Sequence, residues 1–490
     1  MYQSMCVILD MGGSQAVSVA RKVRAKKVFC EILPWDAPVE RILLHAPLGV
    51  IVAGGVGDPF AGEGLPPATL ALPLPMLGLG CGAGAILSGY GAASTRSMPG
   101  RQTVQVSFDD DPLFEGLSSS ERLIQRLDEV ELPPGFHSIA REEGDWSVAF
   151  ACPEKARWGV QFYPEQNDPD GLQILENFTM KICGCQPSWN IQNFMEYETA
   201  RIREKAGEGR VLLALSGGVD SAVCAALMHH AVGERLHCVY VDTGFMRAGD
   251  AEAIRQMAER LPGAHFTRAE MEERFLRKIE GVRDATRKRR LISEELIRAF
   301  EESAQDAEDA GVLARGTTYD DLLMGEESPE DRESSSVLQV LEPLRGLFKS
   351  EVRALGRALG LPEEITDQQA FPGAGLAVRC MGCVTREKLS ILRRSDLIFR
   401  EEIQQAGLER RVRQYFALLA DVLSPDAHGR LGYTVVLRAV NWSTPDVATS
   451  YRLPFDLLER VMERITGTVE GVSRVVYDLT SKPPARIEWE

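Results

Sequence analysis

Short apolar runs closed by turn residues recur along the first part of the chain. Cys6-Val7-Ile8-Leu9 ends at Asp10 and a Met-Gly-Gly turn, a helix rich in Arg and Lys follows, and similar runs lie at Gly49–Ala53, Leu74–Leu79 and Gly159–Phe162. Runs of this kind, spaced by turns and helical stretches, predict an α/β layer with a mostly parallel sheet. A second series opens at Val211–Leu215, breaks into Ser216-Gly217-Gly218-Val219-Asp220-Ser221 and resumes as an Ala-rich helix. A strand at Leu236–Asp242 and long charged helices between Asp250 and Asp309 come next, which predicts a doubly wound unit with its ligand at the carboxyl ends of the strands. An acidic, serine-rich stretch at Gly325–Ser336 lacks apolar periodicity and reads as a mobile loop. The last part combines a helix around Arg386–Gln405 with apolar strands at Tyr433–Val440 and Val472–Asp478, an α+β pattern. The boundaries fall at 1–190, 191–370 and 371–490, and no internal repeat is seen.

With 490 residues the chain exceeds one ordinary core, and its apolar and charged fractions are those of a soluble globular protein. A formal charge of −16 argues against nucleic acid as a partner, because such binding needs clustered Lys and Arg to displace counterions. No charged residue occurs from Gly64 to Thr95, but Pro66, Pro67, Pro73, Pro75 and seven glycines would break a membrane span. No signal-peptide pattern opens the chain, so the expected location is cytoplasmic. Ten dispersed cysteines suit reduced thiols. Cys183-Gly184-Cys185 and Cys380-Met381-Gly382-Cys383 are too far apart to read as one zinc site. The histidines show no ligand spacing, and His229-His230 suits a helix end.

The glycines at 217 and 218 sit where a strand turns into a helix, so backbone N–H groups and the positive helix end face an anion. The loop has no lysine and lacks the Gly-x-x-x-x-Gly-Lys spacing, which excludes the Walker type. Ser-Gly-Gly-Val-Asp-Ser instead resembles the pyrophosphate loop of ATP pyrophosphatases, which split ATP between the α and β phosphates and adenylate a substrate oxygen.

The three segments in this order resemble the GMP synthetase family along nearly the whole chain. The most specific carriers are the phosphate loop, Tyr240-Val241-Asp242-Thr243-Gly244-Phe245-Met246-Arg247, Leu347-Phe348-Lys349-Ser350-Glu351-Val352-Arg353, Phe371-Pro372-Gly373-Ala374-Gly375-Leu376-Ala377-Val378-Arg379 and the terminal Ser481-Lys482-Pro483-Pro484-Ala485-Arg486-Ile487-Glu488-Trp489-Glu490. The resemblance implies a class I glutamine amidotransferase-like domain, an ATP pyrophosphatase domain and a dimerisation and substrate-binding domain, working as a homodimer. It implies adenylation of the 2-oxygen of XMP, followed by displacement of AMP by ammonia. ATP would be held by Ser216, Gly217, Gly218, Val219, Asp220 and Ser221, with Asp242, Gly316 and Thr317 on the nucleotide and Asp220 on Mg²⁺. Lys349 would neutralise charge on the departing pyrophosphate. Lys288 and Arg289 would belong to a lid over the phosphates, and Lys482, Ile487 and Glu488 would grip the purine nucleotide.

The chain departs from the family in its first segment. The family's Gly-x-Cys-x-Gly elbow reads Gly78-Leu79-Gly80-Cys81-Gly82 here, and its His-Pro-Glu reads Tyr163-Pro164-Glu165. Gly80 stands where the nucleophile belongs, and Cys81, one residue late, is expected to turn away from the site. Tyr163, a phenol titrating near pH ~10, cannot serve as a base at neutral pH, so Glu165 is left with nothing to orient. The glutaminase reads as lost while its domain still folds. The stretch from Met324 to Ser336 also replaces a family segment carrying Lys-Ser-His-His-Asn, and Gln368 and Ala370 stand for the usual arginine and proline.

Ammonia, free or from a separate glutaminase, is then the expected nitrogen source for an XMP-aminating ligase. Two other functions fit the same residues: amidation of a different purine-like acceptor, favoured by the altered 324–336 stretch, and a non-catalytic nucleotide-binding paralogue that regulates a true GMP synthetase. A tRNA-thiolating enzyme is disfavoured by the acidic charge and the terminal motif.

Overall fold

The computed structural model describes residues 4–489 apart from 45, 56–59, 61–63, 119, 144, 167–169, 305–309, 324–338 and 445–446. It divides into two compact units, Met1–Tyr197 and Glu198–Glu490. The acidic stretch at 325–336 lies outside the described residues.

The first unit is built on nine strands: β1 (Met5–Asp10), β2 (Phe29–Pro34), β3 (Gly49–Ala53), β4 (Met76–Leu79), β5 (Ser94–Phe108), β6 (Ser120–Val130), β7 (His137–Glu142), β8 (Ser147–Cys152) and β9 (Arg157–Val160). Their order is β2-β1-β3-β4-β9-β8-β7-β5-β6. The strands from β2 to β9 run parallel, and β8, β7, β5 and β6 run antiparallel. The parallel half follows from the fully apolar runs, since a strand covered by helices on both faces has no polar side. The antiparallel half corrects the expectation of a mostly parallel sheet. Its long strands carry Arg96, Glu121, Arg122 and Asp128 among apolar residues, so no continuous run marks them. The uncharged stretch from Gly64 resolves into the helix Pro67–Leu70, β4 and the helix Cys81–Gly89. Val7, Leu9, Val50, Val52, Met76, Ile86 and Phe150 form the core. Among the described residues no helix is long and apolar enough to cross a membrane.

The second unit opens with a parallel sheet of β10 (Arg210–Ala214), β11 (Leu236–Asp242), β12 (His265–Glu270), β13 (Ala310–Ala314) and β14 (Gln339–Leu341), ordered β12-β11-β10-β13-β14. The chain moves to one side of β10 for β11 and to the other for β13. The ends of β10 and β13 therefore flank a topological switch point, where a ligand crevice forms. β12 interrupts the region read as helices alone. It is an edge strand of mostly polar, half-exposed residues, so no apolar run announces it.

A second sheet follows, with β15 (Gln414–Pro425), β16 (Leu431–Thr444) and β17 (Val447–Ser450) antiparallel and β18 (Val472–Tyr477) parallel to β16. The helices Arg386–Gln405 and Phe455–Thr468 pack with it. Leu212, Val239, Phe245 and Phe275 share one hydrophobic core with Leu389, Phe399, Leu419, Val435 and Val461, so the two sheets of this unit are built around common apolar contacts.

The end of the chain is fastened by a buried ion pair. Arg438 is fully buried, pairs with Asp478 and donates to the Arg486 carbonyl at 3.0 Å, while Trp489 Nε1 donates to the same Asp478 carboxylate at 2.7 Å. Arg438→Ala should strand that carboxylate away from water and cost about 3–5 kcal/mol, since breaking a buried pair leaves an uncompensated charge. Denaturant unfolding of the variant against the parent protein measures this.

Candidate functional site

β10 ends at Ala214, and after Leu215 the loop Ser216-Gly217-Gly218 leads into the helix Val219–Val232. Gly217 takes φ +85°, a left-handed conformation that side chains resist, and a Cβ there would lie 2.6 Å from Ile254 Cδ1. Ser221 Oγ closes the loop on itself. It accepts from Ser216 N–H at 3.2 Å and Ser216 Oγ at 3.0 Å, and donates to the Gly218 carbonyl at 3.0 Å. Gly316, on the turn after β13, lies so close that a Cβ would come within 3.1 Å of the Asp220 carbonyl and the Ser221 nitrogen. Thr317 donates to Glu342 at 2.7 Å. The predicted loop and the predicted nucleotide turn are therefore brought together at the switch point.

Lys349 opens the helix Lys349–Ala358. Its ammonium pairs with Asp220 and lies 3.3 Å from Asp321, and its backbone N–H donates to Asp320 at 2.7 Å. Burial holds the Asp220 carboxyl above its ordinary value, with Lys349 beside it pulling the other way. Burial works against the Lys349 ammonium, but Asp220 and Asp321 outweigh it and keep that group firmly protonated. Asp220 Oδ1 is buried and accepts no hydrogen bond. A hard cation fits such a carboxylate oxygen, so Asp220, with Asp321 nearby, could hold Mg²⁺. Asp320 and Asp321 were not singled out from the sequence. Their signal was an acidic pair three residues beyond the Gly316-Thr317 turn.

Asp242 ends β11, caps the following turn by accepting from Gly244 N–H at 3.1 Å, and pairs with Arg268 at 2.7 Å. Lys288 corrects the lid assignment. It is fully buried, and its ammonium donates to the carbonyls of Ala377 at 3.2 Å and Cys380 at 2.8 Å. In the tail, Lys482 exchanges backbone hydrogen bonds with Ala448, and Ile487 packs against the Phe416 cluster. Glu488 is gripped by Arg379 at 2.7 and 3.1 Å, and the Arg379 guanidinium lies 3.9 Å over the Phe416 ring. Arg379 closes one of the quoted motifs, but its grip on Glu488 is not foreseen from the sequence.

In the first unit β4 turns through Gly80 into the helix Cys81–Gly89, with φ +54° and ψ −117° at the elbow. That is the strained geometry of a nucleophile position, occupied here by a residue without a side chain. A Cβ at Gly80 would lie 2.3 Å from the Tyr163 ring, which fills the space above it. Cys81, expected to turn away, faces that ring, with Sγ 3.6 Å from Tyr163 Oη. Burial first, and then Cys81, hold the Tyr163 phenol well above its ordinary value, so it stays protonated at neutral pH. Glu165 is buried beneath. A cavity lined among others by Gly80, Cys81, Gln161 and Tyr163 measures about 20 Å³, room for a water. Cys6 and Cys185 touch at 3.6 Å, and no metal-binding group of three or more His, Cys, Asp or Glu side chains forms among the described residues.

Fold and site define the class: an amidotransferase-type unit joined in one chain to a nucleotide site of the ATP pyrophosphatase type. The family described as "Glutamine amidotransferase class-I" matches residues 7–182, "Asparagine synthase" matches 202–342, and "GMP synthase C terminal domain" matches 401–489. A protein named "GMP synthase [glutamine-hydrolyzing]" from Thermomicrobium roseum is 42% identical over 99% of this chain and 96% of its own. Proteins of the same name from Carboxydothermus hydrogenoformans and Symbiobacterium thermophilum are 39% and 40% identical, over 99% and 100% of this chain and 100% and 99% of their own. The chain belongs to the GMP synthase family, ligases that form a C–N bond.

Gly217→Ala tests the loop geometry directly. A methyl at positive φ against Ile254 should lower stability by about 1–3 kcal/mol and weaken nucleotide binding, read from the denaturation midpoint and from ATP titration.

Proposed function

We propose that this protein is a GMP synthetase that adenylates XMP with ATP and aminates it with ammonia, either free or passed from a separate glutaminase. The XMP 2-oxygen attacks the α-phosphorus, pyrophosphate leaves, and ammonia then displaces AMP from C2. The loop 216–221 holds the phosphates by backbone N–H groups and hydroxyls, and Lys349 balances the charge that grows on the departing pyrophosphate. Asp220 would hold Mg²⁺, whose charge would offset that of the phosphates. Asp242, Gly316 and Thr317 face the adenosine side, while Lys482, Ile487 and Glu488 serve the acceptor, with Arg379 holding the Glu488 carboxylate in place. Residues 1–190, 191–370 and 371–490 are read as amidotransferase-like, pyrophosphatase and dimerising domains, the last making a homodimer.

The observation that carries the ammonia dependence is Gly80 at the elbow with the Tyr163 ring packed into the nucleophile's space. Neither the thiol nor the imidazole of the family's pair stands at its position, and the Tyr163 ring obstructs the return of a side chain at 80. AMP formation with ATP, Mg²⁺ and XMP is expected with ammonium and not with glutamine. Turnover with glutamine would make Cys81 the nucleophile and end this reading. Absence of AMP under both conditions would point to another acceptor or a regulatory role. Gly80→Cys alone should destabilise the first unit and release no glutamate from glutamine, whereas adding Tyr163→His should remove the clash and recover stability. Glutamate release and melting temperature score the pair.

Asp220 must be ionised to work, and burial raises its pKa from 3.8. The acid limb of kcat/KM should therefore lie above the ordinary aspartate range. The sign for stability is opposite: a raised folded pKa means the charged form costs the ligand-free fold, a cost relieved as pH falls through that pKa. Asp220→Asn should abolish AMP formation and lower the melting temperature of the ligand-free protein only modestly, because relief of the buried carboxylate offsets part of the loss of its pairing with Lys349.

A further inference from the structure

The phosphate loop leans on a turn that is itself held from outside. A Cβ at Gly217 would lie 2.6 Å from Ile254 Cδ1 and 3.5 Å from Met246 Cε, so these side chains form the wall behind the loop. Met246 sits on the turn after β11. Four successive or nearly successive carbonyls of that turn are taken by the C-terminal part of the unit. Gly244 accepts from Arg393 Nη2, Phe245 from Leu376 N–H at 2.7 Å, Met246 from Arg393 Nε at 3.0 Å, and Ala248 from Arg400 at 3.3 Å. Arg393 and Arg400 lie on the helix Arg386–Gln405, which also sends Leu389, Leu392 and Phe399 into the shared core. The helix is thus anchored, and its guanidinium groups approach the turn from a fixed base.

We infer that Arg393 is a positioning residue for the nucleotide site, fixing the 244–248 turn and, through Met246, the Gly217 wall of the phosphate loop. Two charge-assisted hydrogen bonds from one planar group hold a segment of three residues in a single geometry, which a lysine's point charge does only in part. The inference deepens the proposed function and rests on the reading that this loop binds ATP. It also gives the C-terminal segment a hand in ATP binding, since Leu376 on Phe245 is three residues from Arg379, which holds Glu488.

Titration of the full-length protein with Mg²⁺ and ATP, without acceptor, is the test. Arg393→Ala should raise Kd about tenfold, the worth of a lost charge-assisted hydrogen bond, and raise KM for ATP more than it lowers kcat. Arg393→Lys should recover part of that loss. Arg394→Ala removes a neighbouring arginine whose Nη2 donates instead to the Thr468 carbonyl, and should leave Kd unchanged. An unchanged Kd in Arg393→Ala, or equal weakening in both alanine variants, would overturn the inference while leaving the ATP reading intact. A parent protein that binds no ATP would remove that reading. Hydrogen exchange of the ligand-free protein then decides the positioning role by itself. Faster exchange at 216–218 and 244–249 in Arg393→Ala than in Arg394→Ala supports it, and equal exchange rejects it.

Discussion

One ammonium group ties the nucleotide site together. Lys349 Nζ stands between Asp220, from the phosphate-loop helix, and Asp321, from the short helix Tyr319–Leu323 beyond β13, so a single cation joins three stretches remote in sequence. In a partly buried site each of these charges would be costly alone, and the pairing makes them tolerable. The arrangement leaves an imbalance: burial still raises Asp220, and one of its oxygens has no hydrogen-bond partner. Arg353 adds a second positive charge acting on Asp220, yet burial still prevails at that carboxylate.

Much of this was legible because it is local. A strand that breaks through Ser216-Gly217-Gly218 into a helix fixes its own geometry, and β11 emerges with the bounds read from its apolar run. Elements whose identity depends on distant partners were hidden. β12 is an exposed edge, β5 and β6 interleave charges with apolar residues, and the acidic pair Asp320-Asp321 gains meaning only from Lys349. Lys288 is instructive in the other direction. Set in Arg287-Lys288-Arg289-Arg290, it is assigned by resemblance to a lid over the phosphates, yet its helix turns that position inward, where its ammonium donates to the backbone carbonyls of 377 and 380. Charge density along the chain does not reveal which member of a basic run is buried.

The tail shows the same dependence at a larger scale. Arg379 and Arg438 each take one acidic residue of the C-terminal part and hold it against the second sheet, Arg379 through Glu488 and Arg438 through Asp478. Arg379 also follows the turn that touches Phe245 beside the phosphate loop. Residues assigned to different substrates are thereby fixed to one body, so displacing either the loop or the tail strains contacts made by the other.

The elbow in the first unit shows how two side-chain changes can be absorbed without disturbing a fold. At φ +54° and ψ −117° any side chain is strained, by about 1–3 kcal/mol, a cost tolerated in an active elbow because the nucleophile must project from the turn. Glycine removes that strain. It also opens a hole, and an open hole beside a buried carboxylate would be destabilising in its own right. Tyr163 fills it with an apolar ring that brings a neutral hydroxyl to Cys81. The two replacements are therefore one structural solution: strain is released at Gly80 and packing is restored by Tyr163, while strand β4, the helix after it and the core beneath are kept.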